Sequence, residues 1–247
     1  MQYKYLLMGA FLCIPFFLQS QSLGSSVIAR GGISIGGPLS FSDIPSEATG
    51  QPGLGPNLSL QWRERFYSNF SISIGIGYSE KGATFTSPVS GRYDAARGIL
   101  GEEFPIPIRI GYTGLVDGIL KNSYLDFPII ASYHTKNWRF GVGYQYSKLL
   151  RGSLTGLVDI KALLLTFNDQ VFDESDIIKT RENVGIVSIG RQVSNRLSIS
   201  LDATMSFDRL LNNNLEEGLI NPRNTYVHLL VGFTLFEIQK DSRYLHP

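Results

Sequence analysis

Residues 197–209 read LSISLDATMSFDR, and alternate positions belong to two different chemical classes. Leu197, Ile199, Leu201, Ala203, Met205 and Phe207 are apolar, while Ser198, Ser200, Asp202, Thr204, Ser206 and Asp208 are polar or charged. A period of two is the signature of a strand with two unlike faces. In a soluble sheet the apolar face meets a core. In a barrel that crosses a membrane it meets lipid, and the polar face lines the lumen.

The pattern recurs along the chain. Strands are expected near residues 27–36, 54–63, 70–79, 124–134, 138–147, 180–193 and 226–235, which makes eight with the opening stretch. The third is nearly ideal: Phe70, Ile72, Ile74, Ile76 and Tyr78 oppose Ser71, Ser73, Gly75, Gly77 and Ser79. The sixth, from Thr180 to Val193, has no clean facing. Three links are short, near Glu64–Asn69, at Thr135-Lys136-Asn137 and at Ser194-Asn195-Arg196, and carry turn-forming residues. The other links are long, at about residues 37–53, 84–121, 148–178 and 210–223. Short turns at one end and long loops at the other are the layout of outer-membrane barrels. Aromatics sort the same way. Trp62, Phe66, Tyr67, Phe70, Tyr133, Trp138, Phe233 and Phe236 fall at the short-turn end, and Tyr78, Tyr124, Tyr146, Phe207 and Tyr226 at the other. Two aromatic belts match two membrane interfaces.

The N-terminus agrees with export. Residues 5–18, YLLMGAFLCIPFFL, form an apolar run of signal-peptide length, followed by Ser20-Gln21-Ser22. Residues 1–22 are therefore expected to be a signal peptide, 23–236 the barrel and 237–247 a short periplasmic tail. Cys13 is the sole cysteine, so a mature chain lacking it has no disulfide or thiolate chemistry. A net charge of +1 argues against a nucleic-acid partner.

The stretches FSISIGIGYSEKGATF, YLDFPIIASY and NTYVHLLVGFTLF resemble the small outer-membrane barrels called porin family, or PorT-like, in Bacteroidota. The resemblance spans roughly residues 25–236. It implies an all-β, transmembrane, antiparallel up-and-down barrel in a bacterial outer membrane. Some members of that family are linked to protein secretion, which the motifs here do not single out.

An eight-stranded barrel has an interior that side chains can fill. Arg30, Arg63, Asp126, Arg139, Asp202, Asp208 and His228 are expected to point inward and form a polar plug of ion pairs and hydrogen bonds. Ser206, His228 and Asp208 offer the ingredients of a nucleophilic set without any supporting motif. No spacing suggests a metal or cofactor. The long loops are unusually apolar: one carries Phe104, Ile106 and Ile108, another Leu163, Leu164 and Leu165. They could extend strands, bury themselves, add a strand pair to make ten, or dock a partner such as a surface lipoprotein or larger barrel. The leading expectation is a non-enzymatic accessory subunit of an outer-membrane complex, in contact with outer-membrane lipid. A small-solute channel is the alternative, and a lipid-modifying enzyme ranks below both.

Overall fold

The computed structural model describes residues 22–39, 49–66, 69–94, 109–162, 165–173, 178–210 and 223–239. Among them run nine strands: β1 (Ser22–Leu39), β2 (Thr49–Phe66), β3 (Phe70–Asp94), β4 (Arg109–Thr135), β5 (Trp138–Ala162), β6 (Leu165–Asp173), β7 (Arg181–Gln192), β8 (Leu197–Ser206) and β9 (Arg223–Gln239). All pair antiparallel. Eight close into a ring in the order β4-β3-β2-β1-β9-β8-β7-β5, sealed by β4 against β5, and β6 pairs with the outer part of β5 outside that ring. The barrel is thus eight-stranded. The ten-strand alternative is not formed, because the chain after β5 contributes one strand to the ring's edge and none to its closure.

Closure sets the geometry. A walk through paired residues from Ser79 passes Asn57, Gly32, Leu230, Ser200, Gly190, Arg139 and His134, whose N–H bonds Asn69, so one circuit descends ten residues on the same strand. With a rise of about 3.3 Å per residue and strands about 4.8 Å apart, that stagger tilts the strands by roughly 40°. Each step from β3 toward β4, β5 and β7 therefore climbs about 3 Å along the axis.

A tilted transmembrane strand needs roughly 9–11 residues. β3, β4 and β5 have 25, 27 and 25, so more than half of each stands beyond the membrane. Inside this extension Leu120, Leu154, Ile178 and Leu210 form a buried apolar cluster, flanked by Phe85 and Leu149. The first and last strands meet at β1–β9, where β9 carries one extra residue between Thr234 and Phe236. Pairing continues there to Gln239, opposite Gly24, so β9 runs three residues past the expected end of the barrel.

The outward face carries the expected aromatics. Trp62, Phe70, Tyr133, Trp138, Phe233 and Phe236 are exposed near the short turns, joined there by Phe140, and Phe70 packs edge-on against Tyr133, whereas Phe66 is buried and Tyr67 lies outside the described residues. Tyr144 and Phe207 are exposed toward the other end, where Phe127 lies against Tyr146. Two members of the expected outer belt do not belong to it: Tyr124 and Tyr226 are 1% and 2% exposed and face the lumen. Their even phase in the strands puts them inward, and position along the strand alone could not show that.

Candidate functional site: a layered lumen beneath an apolar extension

Polar contacts line the lumen at successive heights. Nearest the short turns, Arg63 Nε donates to Ser73 Oγ at 3.4 Å, and Ser71 Oγ meets His134 Nε2 at 2.7 Å. Above them Arg30 Nη2 donates to Asp202 Oδ2 and to Ser200 Oγ, both at 2.6 Å, and Ser188 Oγ donates to the other Asp202 oxygen at 2.6 Å. Arg139 lies beside this layer, its Nε without a hydrogen-bond partner. A Cβ at Gly190 would stand 3.4 Å from Arg139 Nη2, so a side chain there would crowd the guanidinium. His228 comes next, with Ser34 Oγ at 2.7 Å on Nδ1 and Thr204 Oγ1 at 2.9 Å on Nε2. Asp126 then accepts from Ser79 and Ser147, each at 2.6 Å.

The uppermost layer spans the barrel. Lys81 on β3 reaches Glu182 on β7 at 2.9 Å, and Asn224 Nδ2 donates to the second Glu182 oxygen at 2.6 Å. The ammonium lies 4.5 Å from the Tyr124 ring centroid and 5.6 Å from that of Tyr226. All these groups are buried. Lone buried charges are too costly to keep; the lower layers pair groups on the same or nearby strands, and the Lys81–Glu182 layer joins distant walls as a crosspiece. Among the described residues the lower lumen sets three guanidiniums, Arg30, Arg63 and Arg139, against the single carboxylate of Asp202.

Six of the seven expected plug residues, Arg30, Arg63, Asp126, Arg139, Asp202 and His228, take part in this stack. Asp208 does not. It lies past the end of β8 and accepts the Asn183 backbone N–H and side-chain amide, each at 2.7 Å, taking over where the β7–β8 ladder stops. The Ser-His-Asp set is therefore not assembled. Ser206 Oγ bonds Asn183 and Asp208 main-chain atoms, and His228 faces Asp202 across the β8–β9 register. Sequence reasoning missed Lys81 and Glu182. Lys81 extends the β3 alternation two residues past Ser79, a legible signal obscured by the neighbouring Glu80. Glu182 sits on β7, whose inward residues include Val184 and Ile186, so its two faces do not differ in polarity. Among the described residues no group of three or more His, Cys, Asp or Glu could hold a metal.

Of the expected docking residues, Phe104, Ile106, Ile108, Leu163 and Leu164 lie outside the described residues. Leu165 opens β6, opposite Ala162. The outward face of the extension is nonetheless apolar in part: Leu115, Ile119, Leu150, Leu157 and Val171 are exposed, Val171 by 81%. A shallow cavity of about 370 Å³ opens in the same region, lined by Thr49, Gln51, Thr84, Asp117, Ile119 and Leu157, among others.

A closed antiparallel ring with an apolar belt, aromatic borders and a polar stacked lumen defines an integral β-barrel of the bacterial outer membrane. The chain belongs to the family described as outer membrane protein beta-barrel domain, whose pattern matches residues 17–212. Solved structures similar to it include Neisserial surface protein A, at 9% identity and a TM-score of 0.39, covering 87% of this chain and 98% of that one. The attachment invasion locus protein Ail of Yersinia pestis matches at 9% identity and 0.37, covering 88% and 99%. The outer membrane protease OmpT of Escherichia coli matches at 11% and 0.32, covering 86% and 96%. No curated protein matches the chain.

Proposed function

We propose that this barrel is a non-enzymatic accessory subunit whose extracellular extension docks a protein partner in an outer-membrane complex. The observation that carries the reading is the exposed apolar face of Leu115, Ile119, Leu157 and Val171, on strand segments that have already left the membrane. Lipid covers outward apolar residues within the membrane band but not these, and exposed apolar patches of this kind mark interfaces. The edge strand β6 adds a row of backbone groups beside Val171, a second means of recruiting a partner strand. The crossed lumen supports a role in which nothing flows through the barrel.

A photo-crosslinker placed at Leu157 in cells should capture one partner in stoichiometric yield, and one placed at Val142 on the membrane belt should not. The double variant Leu157→Asp/Val171→Asp should keep the heat-modifiable gel mobility of a folded barrel and lose that crosslinked species. An unchanged crosslinking pattern in the variant would remove the support for docking.

A further inference from the structure

On the outward face just beyond the upper aromatic belt, Lys148 of β5 and Arg181 of β7 stand directly opposite each other in the ladder. Both are exposed. Opposed residues of neighbouring strands hold their Cβ atoms about 5 Å apart, and like charges so placed repel. No ion pair relieves either one among the described residues. Two outward anions on this side of the barrel have partners of their own: Glu80 accepts from Tyr78 Oη at 2.5 Å, and Asp208 is held by Asn183. Two further exposed cations lie on the same side, Arg151 opposite Ser123 and Lys121 opposite Ser153.

Position says what this charge is for. Lys148 follows Tyr146 by two residues, hence on the same face and about 5 Å nearer the outer end. Arg181 follows the same step beyond Asn183, the hydrogen-bond acceptor of Tyr144 Oη. Tyrosines of the belt mark the headgroup boundary. The cations therefore stand at the level where lipid phosphates lie, continuous with the membrane interface. At the opposite interface a cation is satisfied differently: Arg191 sits over the Trp138 ring at 5.5 Å.

We propose that Lys148 and Arg181, supported by Arg151 and Lys121, form a binding site for the phosphate of an outer-leaflet lipid headgroup. A phosphate between the two strands turns their repulsion into attraction. The Arg181 guanidinium offers paired N–H donors and the Lys148 ammonium a point charge, complementary ways to hold one phosphate. The site differs from the apolar docking face in residues, height and chemistry, so either can fail without the other.

The test uses the full barrel in phosphatidylcholine nanodiscs, with native mass spectrometry of bound bisphosphorylated lipid A. One lipid should be retained per barrel. Dephosphorylated lipid A should bind at least tenfold more weakly, as should bisphosphorylated lipid A to the Lys148→Ala/Arg181→Ala variant. Arg191→Ala should bind like the wild type, and millimolar inorganic phosphate should not displace the lipid. Heat-modifiable mobility confirms that each variant is folded. Equal retention by the double variant, or equal binding of the dephosphorylated lipid, would overturn the proposal. So would selective dependence on these two residues for soluble polyphosphate but not for lipid A, which would make the site one for an extracellular polyanion.

Discussion

Single residues in this barrel matter most where charge is buried. Asp202 accepts two hydrogen bonds, one from Arg30 and one from Ser188, so its removal strands a cation. Asp202→Ala should destabilise the barrel by about 3–5 kcal/mol, the usual cost of an uncompensated buried charge. Urea unfolding in lipid vesicles reads this directly, and Arg30→Met/Asp202→Leu should recover most of the loss. An unchanged midpoint for Asp202→Ala would deny the layer its structural role. Gly32 shows a different constraint. A Cβ there would stand 1.9 Å from the Leu229 carbonyl oxygen, inside the seam where β1 meets β9. Gly32→Val should therefore block closure, seen as loss of the heat-modifiable band. Alternation alone placed Arg30, Asp126 and Asp202 in the lumen correctly. It could not pair them, because pairing crosses strands far apart in sequence.

Among the strands, β3, β4 and β5 depart most from the sequence reading. Their outer halves lie in stretches read as loops, since Gly82, Gly118 and Gly156 and scattered charges interrupt the apolar rhythm. Long-range partners keep them extended. Ladders hold them to neighbouring strands, β3 with β4 as far as Asp94 and β4 with β5 as far as Ala162, and their inner face has its own core of Leu120, Leu154, Ile178 and Leu210. Leu120→Ala should cost about 2–5 kcal/mol if the cavity stays open. The effect should be local: faster hydrogen exchange at residues 109–123 and 151–162, with the membrane-spanning segments still protected. Uniform loosening of the whole barrel would contradict a separately packed extension. β7 was the hardest strand to orient, because Val184 and Ile186 point inward while Asn183 and Gly185 point out.

For the molecule as a whole, the stacked lumen and the staggered ring belong together. A stagger of ten residues over eight strands leaves an interior that side chains span, and Lys81 to Glu182 is a crosspiece from wall to wall. Reconstituted in planar bilayers, the barrel should show no stepwise conductance of the size of an open porin. Lys81→Ala/Glu182→Ala removes one layer only and should stay silent. Large, regular steps from the wild type would favour the channel reading over the accessory one.

The alternation of apolar and polar residues, the sorted turn lengths and the aromatic positions were enough to establish a barrel of eight or ten strands, its inside and outside, and the membrane setting. These are local properties: facing follows from a period of two, and a membrane demands a closed sheet. The partners of Lys81 and Glu182, the place of Asp208 outside the lumen, the length of β3–β5 and the opposition of Lys148 to Arg181 came from the folded barrel. Each depends on register between strands, which is set by closing the ring and by contacts between residues as distant in sequence as Ser34 and His228.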